Sequence, residues 1–183
     1  MNIKNQNDAF SPRMHLISFF AALCMFLSAI EYIIPKPLPF MRLGLANLPI
    51  LLSLAKMKRK DTFILIALKV LLQGFISGTL FSYIFLFSAG GTLASGIAMM
   101  GIHSLFHKKQ VTSFIGISLA GALANNIVQL LLARWILFGN AALYITPLLF
   151  TVGLITGVAL GIFANLFAAQ SVWYKQLPSY RTI

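Results

Sequence analysis

A lysine and a glutamine four residues apart stand inside the most apolar part of this chain. Lys69 and Gln73 lie within the apolar stretch from Thr62 to Gly101. An ammonium group inside a bilayer costs several kcal/mol unless it faces water, a ligand or a partner. Residues four apart share one face of a helix, so both side chains are expected to point the same way. This face is the first candidate for function.

Amide side chains recur at similar helical spacing on a later segment, where Asn125 and Asn126 stand four and three residues before Gln129. Such amides could form hydrogen bonds between helices and hold a bundle together, and this structural interpretation stays open. The alternative is an outward-open pocket for an anionic or polar solute, with Pro35–Arg42 as its lid and with additional positive charge from Lys36 and Arg134. The predicted substrate-binding residues are Lys69, Gln73, Arg42, Asn47, Asn126 and Gln129.

No catalytic or metal-binding pattern stands out. The chain has only three acids, Asp8, Glu31 and Asp61, whereas prenyl transfer from diphosphates usually requires clustered aspartates that hold Mg²⁺. Glu31 is the nearest candidate partner for Lys69, but it is expected at the outer interface. His103 and His107 flank a basic turn, which favours a solvated interfacial position over a metal site. We therefore predict no catalytic residue, no metal and no cofactor, and an activity other than catalysis is favoured.

The composition places these residues in a membrane. Hydrophobic residues make up 59% of the chain and charged residues 9%, whereas soluble proteins are about a quarter charged. We predict an all-α integral membrane protein with one domain. Glycines near Gly74 and Gly78 should divide the long apolar stretch into two helices. The six predicted transmembrane helices are Met14–Ile34, Leu43–Ala55 (extended back to Phe40), Thr62–Ile76, Thr79–His103, Val111–Phe138 and Ala142–Ala169.

The second of these helices is too short for a regular crossing, which takes about 20 residues, but the distribution of charge supports it. With six crossings, ten lysines and arginines fall on one side and three on the other, as the positive-inside rule requires. This predicts cytoplasmic tails at residues 1–13 and 170–183, around a transmembrane domain at 14–169. Basic loops on this side are expected to contact anionic lipid, not nucleic acid.

Three motifs resemble a known family over roughly Met14 to Ala169. They are Gly44-Leu-Ala-Asn-Leu-Pro-Ile50, the stretch from Lys69 to Tyr83, and Leu119-x-Gly-Ala-Leu-Ala-Asn-Asn-x-Val-Gln-Leu130. The chain resembles the bacterial Gx transporter family, whose members are often labelled heptaprenyl diphosphate synthase component I.

That family is similar to the substrate-binding (S) components of energy-coupling factor transporters. The resemblance implies a bacterial inner membrane, six helices, a cytoplasmic N-terminus and a solute pocket under the first loop. It also implies a transmembrane coupling protein and two ATPases as partners. S components often carry alanines four apart on helix 1, whereas this chain has Ser18-x-x-x-Ala22. The synthase label implies the alternative, a membrane subunit that works with a soluble prenyltransferase.

Overall fold

The computed structural model describes residues 12–36, 38, 40–106 and 113–180. Within these residues the chain is helical or forms connecting turns, and it contains no strand, so the predicted all-α class is confirmed. The elements in chain order are α1 (Pro12–Ile33), a 3-10 turn (Leu45–Asn47) that leads into α2 (Leu48–Ser53), α3 (Arg59–Ile76), α4 (Tyr83–Phe106), α5 (Phe114–Leu132) with a π-helical continuation (Ala133–Phe138), a 3-10 turn (Gly139–Ala141), α6 (Ala142–Gln170) and α7 (Val172–Gln176).

Within the described residues, three stretches are long and apolar enough to cross a bilayer. They are Pro12–Ile33, Tyr83–Leu105 and Phe114–Gln170. Helix α3 is not among them because its 18 residues include four charged ones. The membrane-protein class predicted from composition is therefore compatible with the structure.

The stretch Phe114–Gln170 folds back on itself as a hairpin of α5 and α6. Gly153 in the first half of α6 faces Asn126, whereas Gly161 further along faces Ile115. The contacts move toward the start of α5 as α6 proceeds, so the two helices are antiparallel. A Cβ on Gly161 would lie 2.5 Å from the backbone Cα of Ile115. Glycine thus permits the backbone-to-backbone approach typical of packed membrane helices.

Helices α1 and α3 run parallel. Arg13 in the first turn of α1 forms an ion pair of 2.8 Å with Asp61 in the first turn of α3, and Cys24 lies close enough to Lys69 for electrostatic interaction halfway along. The segment from Ile33 to Arg59 must therefore return along the length of the bundle. We call the end where α1 and α3 begin the basic end, because it also holds Lys56, Lys58, Arg59 and Lys60.

The predicted helix over Leu43–Ala55 is wrong in extent. In the structure this segment is helical only over 45–53. Gly44 adopts the left-handed conformation, with φ of 84°, which a helix cannot include. All six residues of Leu48–Ser53 are buried, so α2 is an internal element of the bundle. Nine helical residues span only about 13 Å at 1.5 Å per residue.

The other predicted helices agree with the structure except at their ends. Helix α3 begins at Arg59 instead of Thr62, and α4 begins at Tyr83 instead of Thr79. The later start of α4 follows from Gly78, which has φ of 62° and leads into a turn that the hydropathy pattern could not distinguish from helix.

The segment after α6 contains a short helix that packs against α2, in addition to the predicted tail. The hydroxyl of Tyr174 in α7 donates to the carbonyl oxygen of Leu52 at 2.7 Å. The ammonium of Lys56 donates to the carbonyl oxygen of Leu177 at 3.0 Å, and the backbone carbonyl of Lys56 accepts a hydrogen bond from the amide of Tyr180 at 2.9 Å. Residues 1–11, 37, 39, 107–112 and 181–183 lie outside the described residues. They include His107 of the predicted polar turn and the first two residues of the predicted fifth helix.

Candidate functional site

Lys69 lies inside the bundle, only 3% exposed. Its ammonium donates to the side-chain oxygen of Asn47 on the 3-10 turn before α2 and to the hydroxyl of Thr92 on α4, the latter at 3.3 Å. Both acceptors are neutral. Among the described residues, no carboxylate forms an ion pair with this ammonium. Three separate segments thus meet at one positive charge that neutral groups solvate.

Glu31 is buried inside the protein at the end of α1, with 1% of its surface exposed. Its carboxylate accepts the backbone amides of Leu43 at 2.9 Å, Gly44 at 3.4 Å and Ala46 at 3.4 Å. These amides stand at the start of the 3-10 turn, where a helix leaves its first donors without partners. Glu31 therefore fixes the loop that carries Asn47 into contact with Lys69.

The amides of α5 form a connected ladder. Gln129 donates to Asn125 at 3.3 Å, Asn125 donates to Asn126 at 3.4 Å, and Asn126 donates to the carbonyl oxygen of Leu149 on α6 at 2.7 Å. The last bond crosses from α5 to α6. Part of this ladder therefore performs the bundle-holding role that the structural interpretation predicted.

A small polar cavity lies between the loop at Arg42–Gly44, α2 and helices α4, α5 and α6. The space that the centre of a water-sized sphere can occupy is about 20 Å³, which is enough for one buried water. Its polar lining consists of Arg42, Asn47, Ser95, Ser118, Asn125, Asn126 and Thr156.

The six predicted site residues hold different positions around this cavity. Arg42, Asn47 and Asn126 line it. Lys69 stands behind Asn47, to which it is hydrogen bonded, and Gln129 stands behind Asn125. Gln73 is buried but does not line the cavity, and its side-chain oxygen finds no hydrogen-bond partner among the described residues.

Sequence reasoning missed the hydroxyl groups that α4 contributes. Ser88, Thr92 and Ser95 are buried, and Thr92 and Ser95 contact Lys69 and Asn47. Their spacing of four and then three residues places them on one helix face. That pattern was visible in the sequence, but single hydroxyls in an apolar helix attract little attention because they readily bond to their own backbone.

A second concave surface lies at the end of the bundle opposite the basic end. It is a groove of about 390 Å³ that includes Lys36, Arg42, Ser77 and Thr79. Burial lowers the pKa of Lys36 from its ordinary value, and Glu31 partly offsets this. Arg42 lines both this groove and the internal cavity, and its Nε is buried without a hydrogen-bond partner among the described residues. Arg42 therefore contributes to the walls of both spaces.

Two other predicted polar residues lie away from the cavity. Arg134 is exposed and donates to the side-chain oxygen of Asn140 at 3.3 Å, so its charge does not contribute to the cavity lining. The amide side chain of Asn165 is exposed on α6 and does not line the cavity.

Comparison with known proteins places the segments that form the cavity within one protein family. The model of one protein family, described as heptaprenyl diphosphate synthase component I, matches residues 20–167. Searches of the curated proteins and of the solved structures give no significant match. The matched range begins within α1 and ends near the end of α6, so it includes every residue that lines the internal cavity. The chain belongs to the heptaprenyl diphosphate synthase component I family.

Proposed function

We propose that this chain is a non-catalytic membrane protein of the transporter type, which binds a small anionic or polar solute as an S-component-like subunit. The observation that carries the proposal is the polar cavity beneath the loop at Arg42–Gly44. Lys69 stands behind it without a carboxylate ion pair among the described residues, and Arg42 lines both this cavity and the groove that includes Lys36. A buried cation of this kind is a functional candidate in a membrane protein.

The proposal includes six crossings with both termini in the cytoplasm of a bacterial cell. The antiparallel hairpin of α5 and α6 supports two crossings within one apolar stretch. The parallel arrangement of α1 and α3 supports a return of the segment between them, although only its central part is helical. The basic end would face the cytoplasm. The groove with Lys36 and Arg42 would then face the outside and admit the solute.

Solute entry would require the loop to move. A cavity with about 20 Å³ for water centres is closed to anything larger than water. The loop at Leu43–Ala46 depends on the carboxylate of Glu31, and it carries Asn47 with it. We propose that the solute displaces this loop and takes over hydrogen bonds that now join Asn47 to Lys69 and Ser95.

Thermal shift of the purified chain in detergent tests this function. The panel would contain water-soluble vitamins, isoprenoid precursors and their diphosphates. For any compound that stabilises the chain, Lys69→Ala and Arg42→Gln should each weaken affinity at least about tenfold. Each variant removes a charged hydrogen-bond donor, which typically contributes about 1.5–3 kcal/mol, and tenfold in affinity corresponds to about 1.4 kcal/mol. Arg134→Gln is the matched control, because its guanidinium is exposed and outside the cavity. Unchanged affinity in Lys69→Ala would show that the pocket is assigned wrongly.

The family description favours one alternative. A component I implies other components of a heptaprenyl diphosphate synthase, so the chain could be a non-catalytic membrane subunit that supports a soluble prenyltransferase. Co-purification of the two proteins, with product chain length that depends on this chain, would support that role. An enzyme that gives the same products without this chain would exclude it. Co-purification with a transmembrane coupling protein and two ATPases would instead support transport.

A further inference from the structure

An open groove lies between α3 and α4 at the basic end of the bundle. Its volume is about 750 Å³, and it is distinct from the internal cavity. Apolar side chains from both helices form its floor. Phe63 is 52% exposed and Leu105 is 74% exposed, so these large side chains have no partner within the described chain that covers them. The remaining apolar lining comes from Ile64, Ile97 and Met100.

Gly101 keeps the floor of this groove open. A Cβ at this position would meet no atom within 4 Å. The two helices are nevertheless held together at this end, because the guanidinium of Arg59 on α3 donates to the hydroxyl of Ser104 on α4. The groove therefore exists because Gly101 has no side chain to fill the space between two helices that are in contact.

The rim of the groove is positively charged. Arg59 and Lys60 are exposed and line it. The adjacent acid, Asp61, is paired with Arg13 on α1 at 2.8 Å and does not line the groove. An apolar floor beside two cations is complementary to a phospholipid with a negative headgroup. The floor matches the apolar acyl chains, and the cations match the negative charge. Basic pockets between membrane helices are suited to such headgroups, and exposed cations near an anionic surface strengthen the binding.

We propose that this groove binds an anionic phospholipid, with its phosphate at Arg59 and Lys60 and an acyl chain over Phe63 and Gly101. A second copy of this chain is a poorer occupant, because a symmetric contact would bring the same two cations toward their equivalents. A small free anion would leave the apolar floor uncovered. The site depends on the chain lying in a membrane, but it does not depend on the identity of the solute.

Native mass spectrometry of the full chain in micelles tests the proposal. The protein would be mixed with equal amounts of phosphatidylglycerol and phosphatidylcholine with identical acyl chains. We expect phosphatidylglycerol to remain bound preferentially. The double variant Arg59→Gln/Lys60→Gln should lose this preference several-fold. Gly101→Leu should reduce retention of both lipids, because the new side chain occupies the groove.

Two matched controls and a folding check accompany these variants. Lys175→Gln removes an exposed lysine from the tail outside the groove, and Gly116→Leu fills the open space beside an exposed helical glycine on α5. Neither should change lipid retention, and thermal melting identifies any variant that is misfolded. Equal retention of the two lipids by the wild type, or unchanged retention in Gly101→Leu, would overturn the proposal. Dimers that Gly101→Leu dissociates would also overturn it, since they would assign the groove to a second copy.

Discussion

At the scale of single residues, Lys69 is solvated by neutral oxygens. Asn47 and Thr92 accept its hydrogen bonds, and Glu31 is occupied with backbone amides. A buried charge with hydrogen-bond partners but no adjacent counter-charge is costly for the free protein. An anionic ligand would lower that cost, which links the residue to the proposed function.

The coupling between Lys69 and Asn47 can be measured. Asn47→Leu should destabilise the fold by about 1.5–3 kcal/mol, because it removes a hydrogen bond to a charged group. Adding Lys69→Met should recover part of this loss, since both polar partners are then gone. Unfolding free energies from detergent titration give the comparison, and exposed Asn165→Leu should stay within about 0.5 kcal/mol of the wild type. Strict additivity of the two substitutions would contradict the coupling.

Tyr174 predicts a pH dependence of the C-terminal segment. Burial raises its pKa from 10.0 to about 12. Because the packed state holds the proton more tightly, packing of α7 on α2 is fully favourable below pH 10. This stabilisation is lost as the pH rises from 10 through about 12. Tyr174→Phe should remove this part of the pH dependence, although it also loses the hydrogen bond to Leu52.

Tryptophan fluorescence can report this transition. Trp173 packs against Phe19 on α1 with ring centroids 4.9 Å apart, and a Trp135→Phe background leaves it as the single tryptophan of the chain. The fluorescence should change between pH 10 and 12 in this background and stay flatter when Tyr174→Phe is added. Superimposable profiles would rule out a role for the phenol.

At the scale of elements, close helix packing and one irregular segment determine the site. Helices α5 and α6 approach so closely that Asn126 on α5 can reach a backbone carbonyl of α6. The segment before α3 is irregular, since it is helical only over 45–53. Its free backbone amides bind the carboxylate of Glu31, and the side chain of Asn47 accepts a hydrogen bond from Lys69. In the proposed membrane orientation this irregular backbone is tolerated, because it is buried in protein and lines the cavity.

The glycines of the hairpin predict opposite effects at two positions. Gly161→Ala should destabilise the protein by about 1–3 kcal/mol, because the added methyl group would overlap the backbone of Ile115. Gly116→Ala, where a Cβ meets open space, should be neutral or stabilising by up to about 1 kcal/mol. Detergent-titrated unfolding distinguishes the two. A Gly161→Ala variant as stable as Gly116→Ala would show that the helices are less closely packed.

At the scale of the whole molecule, the two ends of the bundle differ in charge. The basic end joins α1, α3 and the C-terminal segment through Arg13 and Asp61 and through Lys56. The opposite end carries the groove with Lys36 and Arg42. The same asymmetry supports the proposed orientation and places the solute groove and the lipid groove at opposite ends.

Cysteine labelling in intact cells tests this orientation. Lys58→Cys and Lys175→Cys should react with a membrane-impermeant maleimide only after the membrane is opened, whereas Asn140→Cys should react from outside. Cys24 is fully buried, so the wild type should give no signal and serves as the control. Labelling of Lys58→Cys and Lys175→Cys from opposite sides would mean that an odd number of crossings separates the two residues, which would contradict the proposed topology.

The sequence by itself determined the features that depend on residues close together along the chain. A long apolar run is a local property, so α1, α5 with its π-helical continuation, and α6 lie within a few residues of their predicted bounds. Lys69 and Gln73 lie on one helix, α3, for the same reason. The family is identifiable because its motifs are contiguous, and its model matches residues 20–167.

The tertiary structure alone decided which of these groups meet. Hydropathy could not reveal that the predicted second helix is confined to residues 45–53, because its start depends on Gly44 and on a carboxylate from α1. It also could not place Asn47 and Thr92 on Lys69, or separate Gln73 from the cavity. These contacts join residues more than 20 positions apart, and only the packing of separate helices brings such residues together.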